Sequence, residues 1–202
     1  MSFFQNTCKP VGFGGKIMVA MMNSGHAALA DWGFSQITLS ADASVLDVGC
    51  GGGANIRMLL KLCPDGHITG ADYSAVSVEK SRRVNKKALL AGRCDVVEGS
   101  ADDLPFADGA FDAVTAFETV YFWPGLTKCF REVHRVLKNG GRFLIRNESD
   151  GKKAEDEKWM KIIGGMTICT AEQLEEALKQ AGFGRITTRK NDRGWVCVTA
   201  EK

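Results

Sequence analysis

The chain has 202 residues, with 26 lysines and arginines against 24 aspartates and glutamates, for a formal net charge of +2 at pH 7. Hydrophobic residues make up 45% and charged residues 25%, which is typical of a globular domain and excludes a mostly disordered chain. The basic residues are scattered along the chain. We therefore expect no nucleic-acid partner, because displacing counterions from phosphate needs a concentrated basic face.

The sequence indicates a cytoplasmic protein without membrane insertion. Its first residues lack the charged and then apolar pattern of a secretory signal, and no stretch approaches the ~20 apolar residues that span a bilayer. Seven cysteines without a CxxC pair fall mostly in apolar stretches, which predicts buried, reduced thiols. The three histidines lie far apart, so we expect no metal site. The oligomeric state stays open between a monomer and a homodimer.

Two regions differ in pattern. Residues 12–15 are glycine-rich, and residues 16–32 carry apolar side chains at helical spacing with a break near Ser24 and Gly25. We expect residues 1–40 to form a helical extension or lid. Residues 41–202 alternate between short apolar runs and amphipathic stretches, which predicts one α/β domain.

The predicted elements of that domain follow in chain order. Strands are expected at 44–48, 67–71, 93–98, 111–116, 142–147, 185–190 and 195–200, with helices at 54–63, 74–91, 124–139 and 170–182. Ser74 is expected to cap one helix, Pro124 to lie in the first turn of the next, and Thr170 with Gln173 to form a capping box. The tight-turn signal at 191–194 predicts an antiparallel hairpin. The fold class is α/β: a Rossmann-like three-layer sandwich with a mostly parallel seven-stranded sheet and a C-terminal antiparallel hairpin.

The strongest local signal is the glycine cluster at 45–53 (VLDVGCGGG). A strand that turns into a helix through glycines lets a ligand approach the bare backbone beside a helix N-terminus. Gly49, Gly51 and Ala54 also satisfy the G-x-G-x-x-A spacing of nicotinamide and flavin enzymes. Asp72 lies about twenty residues further on, where an acid can accept hydrogen bonds from both ribose hydroxyls. Together they predict an adenosine-type ligand, with helix capping as the structural alternative for Asp72.

Asp47 distinguishes between the possible cofactors. An acid two residues before the first glycine disfavours the negative pyrophosphate of a dinucleotide. S-adenosylmethionine carries no phosphate, and its sulfonium and α-amino cations are favoured by an acid, directly or through water. The sign of the charge therefore favours S-adenosylmethionine.

Further segments support the same cofactor. Five ordered motifs lie at 45–53, 71–74 (ADYS), 98–106 (EGSADDLPF), 108–114 (DGAFDAV) and 132–141 (EVHRVLKNGG). On these motifs the chain resembles the class I S-adenosylmethionine-dependent methyltransferases, in particular the small-molecule branch that includes the quinone C-methyltransferases. The resemblance covers residues 44–147, and the remainder resembles the family by topology. It implies that residues 41–202 form the S-adenosylmethionine-binding methyltransferase domain.

The resemblance also implies residue roles. Gly49 and Gly51 would line the methionine moiety, Asp72 would hold the ribose, and Phe117 would contact the methionine end. The Ala101 amide and the Asp102 carboxylate would meet the adenine, while Tyr73 would pack on the adenine or ribose face or simply in the core. The full cofactor-binding set is Asp47, Gly49, Cys50, Gly51, Gly53, Asp72, Tyr73, Ser74, Ser100, Ala101, Asp102 and Phe117.

The acceptor side is less defined. Residues 117–120 (FETV) replace the Asn/Asp-Pro-Pro-aromatic motif of members that methylate nucleic-acid amines, which argues against such substrates. Glu118, Tyr121 and His26 are the candidate catalytic residues, and a base is needed only if the acceptor must lose a proton. The alternatives are that Glu118 binds the cofactor's amine or caps a helix, and that His26 is structural. Aromatic residues at 121–123 and 159 would suit a small, fairly apolar acceptor or core packing equally well. The methylated atom, whether O, N or C, stays open.

Two other functions remain to be tested. A nicotinamide-dependent oxidoreductase would use the same glycine loop and would have a sixth parallel strand in place of the terminal hairpin. A non-catalytic module would bind S-adenosylmethionine without transferring its methyl group.

Overall fold

The computed structural model describes residues 27–202. The strands are β1 Ser44–Val48, β2 His67–Asp72, β3 Cys94–Glu98, β4 Phe111–Phe117, β5 Leu137–Asn147, β6 Gly184–Lys190 and β7 Val196–Glu201. The helices are α1 Ala27–Phe34, α2 Ala54–Leu62, α3 Ala75–Val84, α4 Lys86–Leu90, α5 Leu126–Val136, α6 Ala154–Ile162 and α7 Ala171–Gln180, with a 3₁₀ turn at Val120–Phe122. Predictions for residues 1–26, including His26 and the glycine-rich loop at 12–15, lie outside the described residues. Within 27–202, no helix is both long and apolar enough to cross a bilayer.

The seven strands form one sheet in the order β3-β2-β1-β4-β5-β7-β6. The first five are parallel, whereas β7 pairs antiparallel with both β5 and β6. The predicted fold class is therefore confirmed, including the terminal hairpin, and a sixth parallel strand does not occupy the place that the oxidoreductase alternative requires. The chain runs from β1 outward to β2 and β3 and then returns to β4 on the other side of β1. A crevice therefore forms at the carboxyl ends of β1 and β4, where ligands of open α/β sheets bind.

Two apolar clusters cover the two faces of the sheet, which explains the three layers. One cluster packs α5 and α7 against residues such as Val114, Phe143 and Val198. The other packs α1 and α2 against residues such as Val45 and Leu144. The predicted burial of the cysteines holds for five of the six described, namely Cys50, Cys63, Cys94, Cys129 and Cys197, and Cys169 is half-buried.

The helix predicted from Ser74 to about residue 91 is in fact two helices, α3 and α4, that meet at Asn85. Asn85 is buried, and its Nδ2 donates to the carbonyls of Gly53 (3.0 Å) and Ser81 (3.1 Å). This side chain competes with the backbone ladder, which divides the helix. Ser74 lies at the predicted cap position, but its hydroxyl makes no capping bond to the helix.

The connections around α5 also differ from the prediction. The helix begins at Leu126 after Gly125, whose φ is +73°, so Pro124 precedes the helix and does not lie in its first turn. It ends at Val136, and β5 begins at once, so Gly140 and Gly141 belong to β5 and do not end the helix.

The capping box at α7 is confirmed. The Thr170 hydroxyl accepts from the Gln173 amide (3.3 Å), and the Gln173 side-chain oxygen accepts from the Thr170 amide (2.8 Å).

Candidate cofactor and acceptor site

The glycine loop lies at the crevice, between β1 and α2. Gly49, Gly51 and Gly53 all have left-handed φ angles of +76°, +51° and +79°, which glycine adopts without steric strain. A Cβ on Gly49 would lie 2.0 Å from the hydroxyl oxygen of Thr119, whereas a Cβ on Gly51 would meet no atom within 4 Å. The backbone is therefore closely packed at Gly49 and open at Gly51, where a ligand can approach it.

Asp72 ties the end of β2 to this loop. Its side chain is only 7% exposed, and its two oxygens accept from the amides of Gly51 (2.9 Å) and Ser74 (2.9 Å). Burial raises the pKa of Asp72, and the bonds from Ser74 and Gly51 oppose that rise. The carboxylate thus lies at the carboxyl end of β2 and also holds the amide of Ser74, the residue that precedes α3. Its ribose contact stays a prediction.

Asp47 is completely buried at the end of β1. The Thr115 hydroxyl donates to its Oδ1 (2.7 Å), whereas Oδ2 has no hydrogen-bond partner among the described residues. Desolvation raises the pKa of Asp47 to about 7, the Thr115 bond lowers it, and nearby Asp72 raises it further. A buried carboxylate oxygen without a partner is costly, and a cation or a water in the crevice would remove that cost. The site therefore fits a positively charged ligand.

The predicted adenine-binding segment follows β3. Ala101 is buried, and Ser100 pairs with Asp103 in an isolated bridge. The Asp102 carboxylate accepts from the Ser100 hydroxyl (2.5 Å) and from the Lys128 ammonium (2.8 Å), and these two bonds lower its pKa. Both of its oxygens are engaged, so an exocyclic amine would share them with these partners. The adenine contacts stay predictions.

Arg135 of α5 fixes the end of this segment, a contact that the sequence analysis missed. Its guanidinium donates to the carbonyls of Leu104 (2.9 Å) and Phe106 (2.7 Å) and to the carboxylates of Glu132 and Asp108. Glu132 also accepts from the Leu104 amide (3.0 Å). The resemblance of residues 132–141 to the family motif was the available signal.

Three other predicted cofactor residues lie around the loop. Cys50 is buried, and its thiol lies 3.9 Å from the Ser81 hydroxyl, where burial raises its pKa well above the ordinary value. A Cβ on Gly53 would lie 2.4 Å from Asn85, so Gly53 permits close packing against α3. Tyr73 is 37% exposed at the mouth of the crevice.

Phe117 is the last residue of β4, and Glu118 directly follows it. The ring of Phe117 is buried, 4.6 Å from the ring of Phe34 in α1. Glu118 is half-buried with φ +58°, an unusual angle for a residue with a side chain. Its carboxylate accepts from the Glu148 amide (2.5 Å), and burial raises its pKa to about 8 against the opposing charge of Arg146. Such a strained, half-buried acid at a crevice marks a functional candidate.

Tyr121 lies beside Glu118 but is a weaker candidate base. Its side chain is 5% exposed, and its phenol oxygen accepts from the Ser149 amide (3.3 Å). Burial, with a smaller effect from Glu118, raises the pKa of Tyr121 well above the ordinary value. The phenol is therefore neutral near pH 7.

The aromatic residues predicted to line the acceptor pocket lie in different environments in the structure. Trp123 stacks on Phe143 with a centroid distance of 6.2 Å and an interplanar angle of 9°, and its indole donates to Thr119 (3.2 Å), so it packs in the core. Trp159 of α6 is 40% exposed. Core packing thus accounts for Trp123.

Two buried polar residues at the end of β5 were not predicted. Arg146 and Asn147 are each 1% exposed. Within residues 27–202, the Arg146 Nε and Nη1 and both polar atoms of the Asn147 amide have no hydrogen-bond partner. Buried polar groups normally have partners, so these atoms need an explanation. The available signal was an arginine and an asparagine directly after the apolar run at 143–145.

Comparison with known proteins agrees with this geometry. Residues 46–145 match the family described as Methyltransferase domain. The chain is 37% identical over 158 residues to the sterol 24-C-methyltransferase erg-4 of Neurospora crassa, covering 74% of this chain and 41% of that protein. It is 28% identical over 186 residues to the uncharacterized methyltransferase YdaC of Bacillus subtilis, covering 90% and 96% of the two chains.

A structural relative confirms the fold over nearly the whole chain. It comes from the complex between the Haloferax volcanii Trm112 methyltransferase activator and a methyltransferase, with a TM-score of 0.84, 20% identity and coverage of 92% and 93%. The chain belongs to the class I S-adenosylmethionine-dependent methyltransferases, and S-adenosylmethionine is the cofactor of this family. It spans less than half the length of the sterol methyltransferases that it matches.

Proposed function

We propose that this protein transfers a methyl group from S-adenosylmethionine to a small-molecule acceptor by in-line displacement. The observation that carries the proposal is Asp47, a fully buried carboxylate with an oxygen unpartnered among the described residues, beside a glycine loop with open space at Gly51. This arrangement supports a cationic adenosyl ligand and disfavours a pyrophosphate.

The chain's own residues would bind and orient the reactants. When bound, S-adenosylmethionine supplies a methyl group on a sulfonium, which is already a good leaving group. The open loop at Gly51 would receive the methionine end, Asp72 the ribose, and the Ser100–Asp102 segment the adenine. Alignment of donor and acceptor of this kind can contribute roughly 7–11 kcal/mol to lowering the barrier.

Glu118 is the residue that we propose as the proton acceptor, where the acceptor must lose a proton. It directly follows β4 next to the crevice, and burial raises its pKa to about 8, near the pH at which a general base works efficiently. Tyr121, a neutral buried phenol, would position the neighbouring backbone through Ser149. A role for His26 stays a sequence-based proposal.

Ligand-induced stabilisation tests the cofactor part of the proposal. S-adenosylhomocysteine should raise the melting temperature in a concentration-dependent manner, and NAD should not, because a ligand that binds only the folded state stabilises it. A shift with NAD alone would overturn the assignment. The Asp47→Asn variant should lose most of the response, whereas Asp103→Asn, at an exposed position near the crevice, serves as the matched control.

Transfer of labelled methyl groups to a panel of small acceptors tests the enzymatic part. We infer catalysis rather than passive binding because Glu118, at a positive φ, and Arg146, with donors unpartnered among the described residues, lie outside the predicted cofactor-binding set. If the protein binds S-adenosylhomocysteine but transfers no label to phenols, amines, thiols or isoprenoids, the non-catalytic module is the correct interpretation.

The remaining parts of the proposal concern the N-terminal residues, the cellular location and the oligomeric state. We propose that residues 1–40 act as a helical extension over the domain formed by 41–202, supported by the packing of Phe34 on Phe117. The free cysteines support action in the cytoplasm, and the scattered charge supports the absence of a nucleic-acid partner. Either a monomer or a homodimer is compatible with this proposal. Size-exclusion chromatography with light scattering would determine the oligomeric state.

A further inference from the structure

Lysines and arginines occur throughout the sequence, but the helices α2, α3 and α4 carry an excess of them. Residues 54–93 contain eight lysines and arginines and only three aspartates and glutamates, whereas acids outnumber these bases in the rest of the chain. One of the three acids, Asp72, is buried at the crevice, which leaves Asp65 and Glu79 near the surface of this region. The positive charge is therefore concentrated on one part of the fold, although the net charge of the chain is small.

Most of these basic side chains have no partner in the protein. Arg82 donates to the Val96 carbonyl (2.9 Å) and Arg93 to the Gly66 carbonyl (3.3 Å), so these two stabilise the fold. Five others are exposed, and their side chains form no ion pair or hydrogen bond within residues 27–202: Arg57, Lys61, Arg83, Lys86 and Lys87. Seven lysines and arginines in residues 94–202 do have carboxylate partners.

The five unpaired cations lie on one helix layer. Arg57 and Lys61 are one turn apart on α2, so their side chains share a face of that helix. Lys86 and Lys87 begin α4, none of whose residues is buried. Both helices pack on the same apolar cluster as α3, which contributes Val78 to it. The charges therefore point outward from the layer that covers one face of the sheet.

Two leucines are exposed in the same region. Leu62 is 45% exposed and Leu90 is 79% exposed, and they are the last residues of α2 and α4. Arg93 joins these two helix ends, because its guanidinium donates to the carbonyl of Cys63 (2.7 Å). A single exposed leucine is ordinary, but two of them beside unpaired cations are typical of surfaces that lie at the boundary between lipid headgroups and acyl chains.

We propose that α2, α3 and α4 dock the protein on an anionic lipid bilayer through a basic surface made of seven exposed residues: Arg57, Lys61, Leu62, Arg83, Lys86, Lys87 and Leu90. The cations attract anionic headgroups, and the apolar stems of their side chains lie along the interface. The leucines enter the boundary with the acyl chains. Since α2 and α3 begin at the crevice and run away from it, the docked surface lies beside the crevice and leaves it open.

The composition of the basic surface favours lipid over a soluble polyanion. A nucleic acid would attract the cations but would offer the leucines no apolar surface, and residues 54–93 contain no phenylalanine or tryptophan on which bases stack. An acidic protein would need a pocket of matching shape for each leucine. A bilayer receives both leucines without a matching shape, and each anionic headgroup can move to a cation.

Co-sedimentation with vesicles tests the charge requirement. The wild-type protein should bind phosphatidylcholine vesicles in which roughly a third of the lipid is phosphatidylglycerol, and should not bind pure phosphatidylcholine. Binding should fall steeply between about 0.05 M and 0.5 M salt, because salt screens the charges.

Paired substitutions locate the binding surface. Each basic residue near an anionic surface contributes about fivefold to partitioning, so Lys86→Gln combined with Lys87→Gln should weaken binding at least tenfold. Arg131→Gln combined with Lys179→Gln removes the same charge from exposed positions on the opposite helix layer and should bind like wild type. Equal binding by the Lys86 and Lys87 variant and wild type, or binding that ignores lipid charge, would overturn the inference.

Leu90→Ser tests the apolar contribution. The position is exposed, so the fold should be retained, and vesicle binding should weaken at least threefold because the leucine no longer enters the bilayer. Wild-type affinity of Leu90→Ser for vesicles would contradict the inference. Tighter binding of wild type to labelled polyglutamate or to duplex DNA than to the anionic vesicles, at the same salt, would assign the surface to a soluble partner and would also overturn it.

Two controls separate folding and cofactor binding from docking. Should the Lys86 and Lys87 variant fail to fold, Arg57→Gln combined with Lys61→Gln removes two charges from α2 and should also lose at least tenfold, and unchanged binding would count against the inference. The shift in melting temperature with S-adenosylhomocysteine should be the same in every variant. Docking does not rest on the proposed function: a shift without vesicle binding refutes docking alone, whereas vesicle binding without a shift refutes the proposed function alone.

Discussion

Replacement of Asp47 by Asn should stabilise the cofactor-free protein while weakening cofactor binding. The folded-state pKa of about 7 lies above the ordinary 3.8, so the folded state holds the proton more tightly than the unfolded state. Stability is therefore lost as the pH rises from about 4 through about 7. At 1.36 kcal/mol for each pKa unit, this loss amounts to about 4 kcal/mol at pH 8.

The Asn variant lacks this titration but places an amide where Oδ2 has no partner among the described residues. An unsatisfied buried amide costs about 1–3 kcal/mol, so the expected net gain at pH 8 is about 1–3 kcal/mol. Urea unfolding of both proteins at pH 5 and pH 8, without cofactor, measures the difference. Asp72 also has a raised pKa and its charge is coupled to that of Asp47, so the measured difference includes the change in Asp72 when the Asp47 charge is removed.

The same substitution should act in the opposite direction on the ligand. S-adenosylmethionine brings a sulfonium charge that S-adenosylhomocysteine lacks, so the variant should lose more affinity for the first than for the second in calorimetric titrations. Lower stability of Asp47→Asn at pH 8, or an equal loss of affinity for both ligands, would refute the reasoning. The Asp47 carboxylate would then not be destabilised by burial and stabilised by a bound cation.

Four other substitutions follow from the site. Gly49→Ala should destabilise the protein by about 2–4 kcal/mol in urea unfolding, because its Cβ would overlap the Thr119 hydroxyl at a positive φ. Gly51→Ala places its Cβ in open space, so it should cost about 1 kcal/mol and chiefly reduce affinity for S-adenosylhomocysteine. Glu118→Gln should lower turnover of a hydroxyl acceptor by about 10²–10⁴-fold with unchanged S-adenosylhomocysteine affinity. The wild-type rate should rise with pH up to about 8, and full activity of the variant would exclude the base role. Arg135→Met should cost about 2–3 kcal/mol in thermal unfolding, because its hydrogen bonds to the Leu104 and Phe106 carbonyls are lost. Amide exchange at residues 100–106 should become faster, and unchanged exchange there would contradict the role of Arg135 in holding this segment.

The sequence was sufficient for the parts of the fold that depend on local pattern. Short apolar runs separated by helical stretches predicted every strand to within a few residues except the start of β5, and the turn at 191–194 predicted the terminal hairpin. The capping box at Thr170 and Gln173 followed from side-chain chemistry within four residues. Such features are determined by neighbours in the chain, so they are visible without tertiary structure.

Features that depend on distant contacts were not visible. The division of the long helix at Asn85 requires the Gly53 carbonyl, which lies 32 residues earlier. The isolation of Arg146 depends on α1 covering it, and the engagement of Asp102 depends on Lys128 of α5. Pattern along the chain identified the motif around Asp102, but only the packing of α5 shows that its carboxylate already holds a cation.

The position of β7 has a consequence for biogenesis. Although β7 follows β6 in the chain, it lies between β5 and β6 in the sheet. During synthesis β6 therefore emerges before β7, its neighbour in the sheet, and the edge of β5 stays uncovered until residues 196–201 have left the ribosome. An open strand edge is a site for pairing with other chains, so a ribosome stalled before this segment would present an aggregation-prone intermediate.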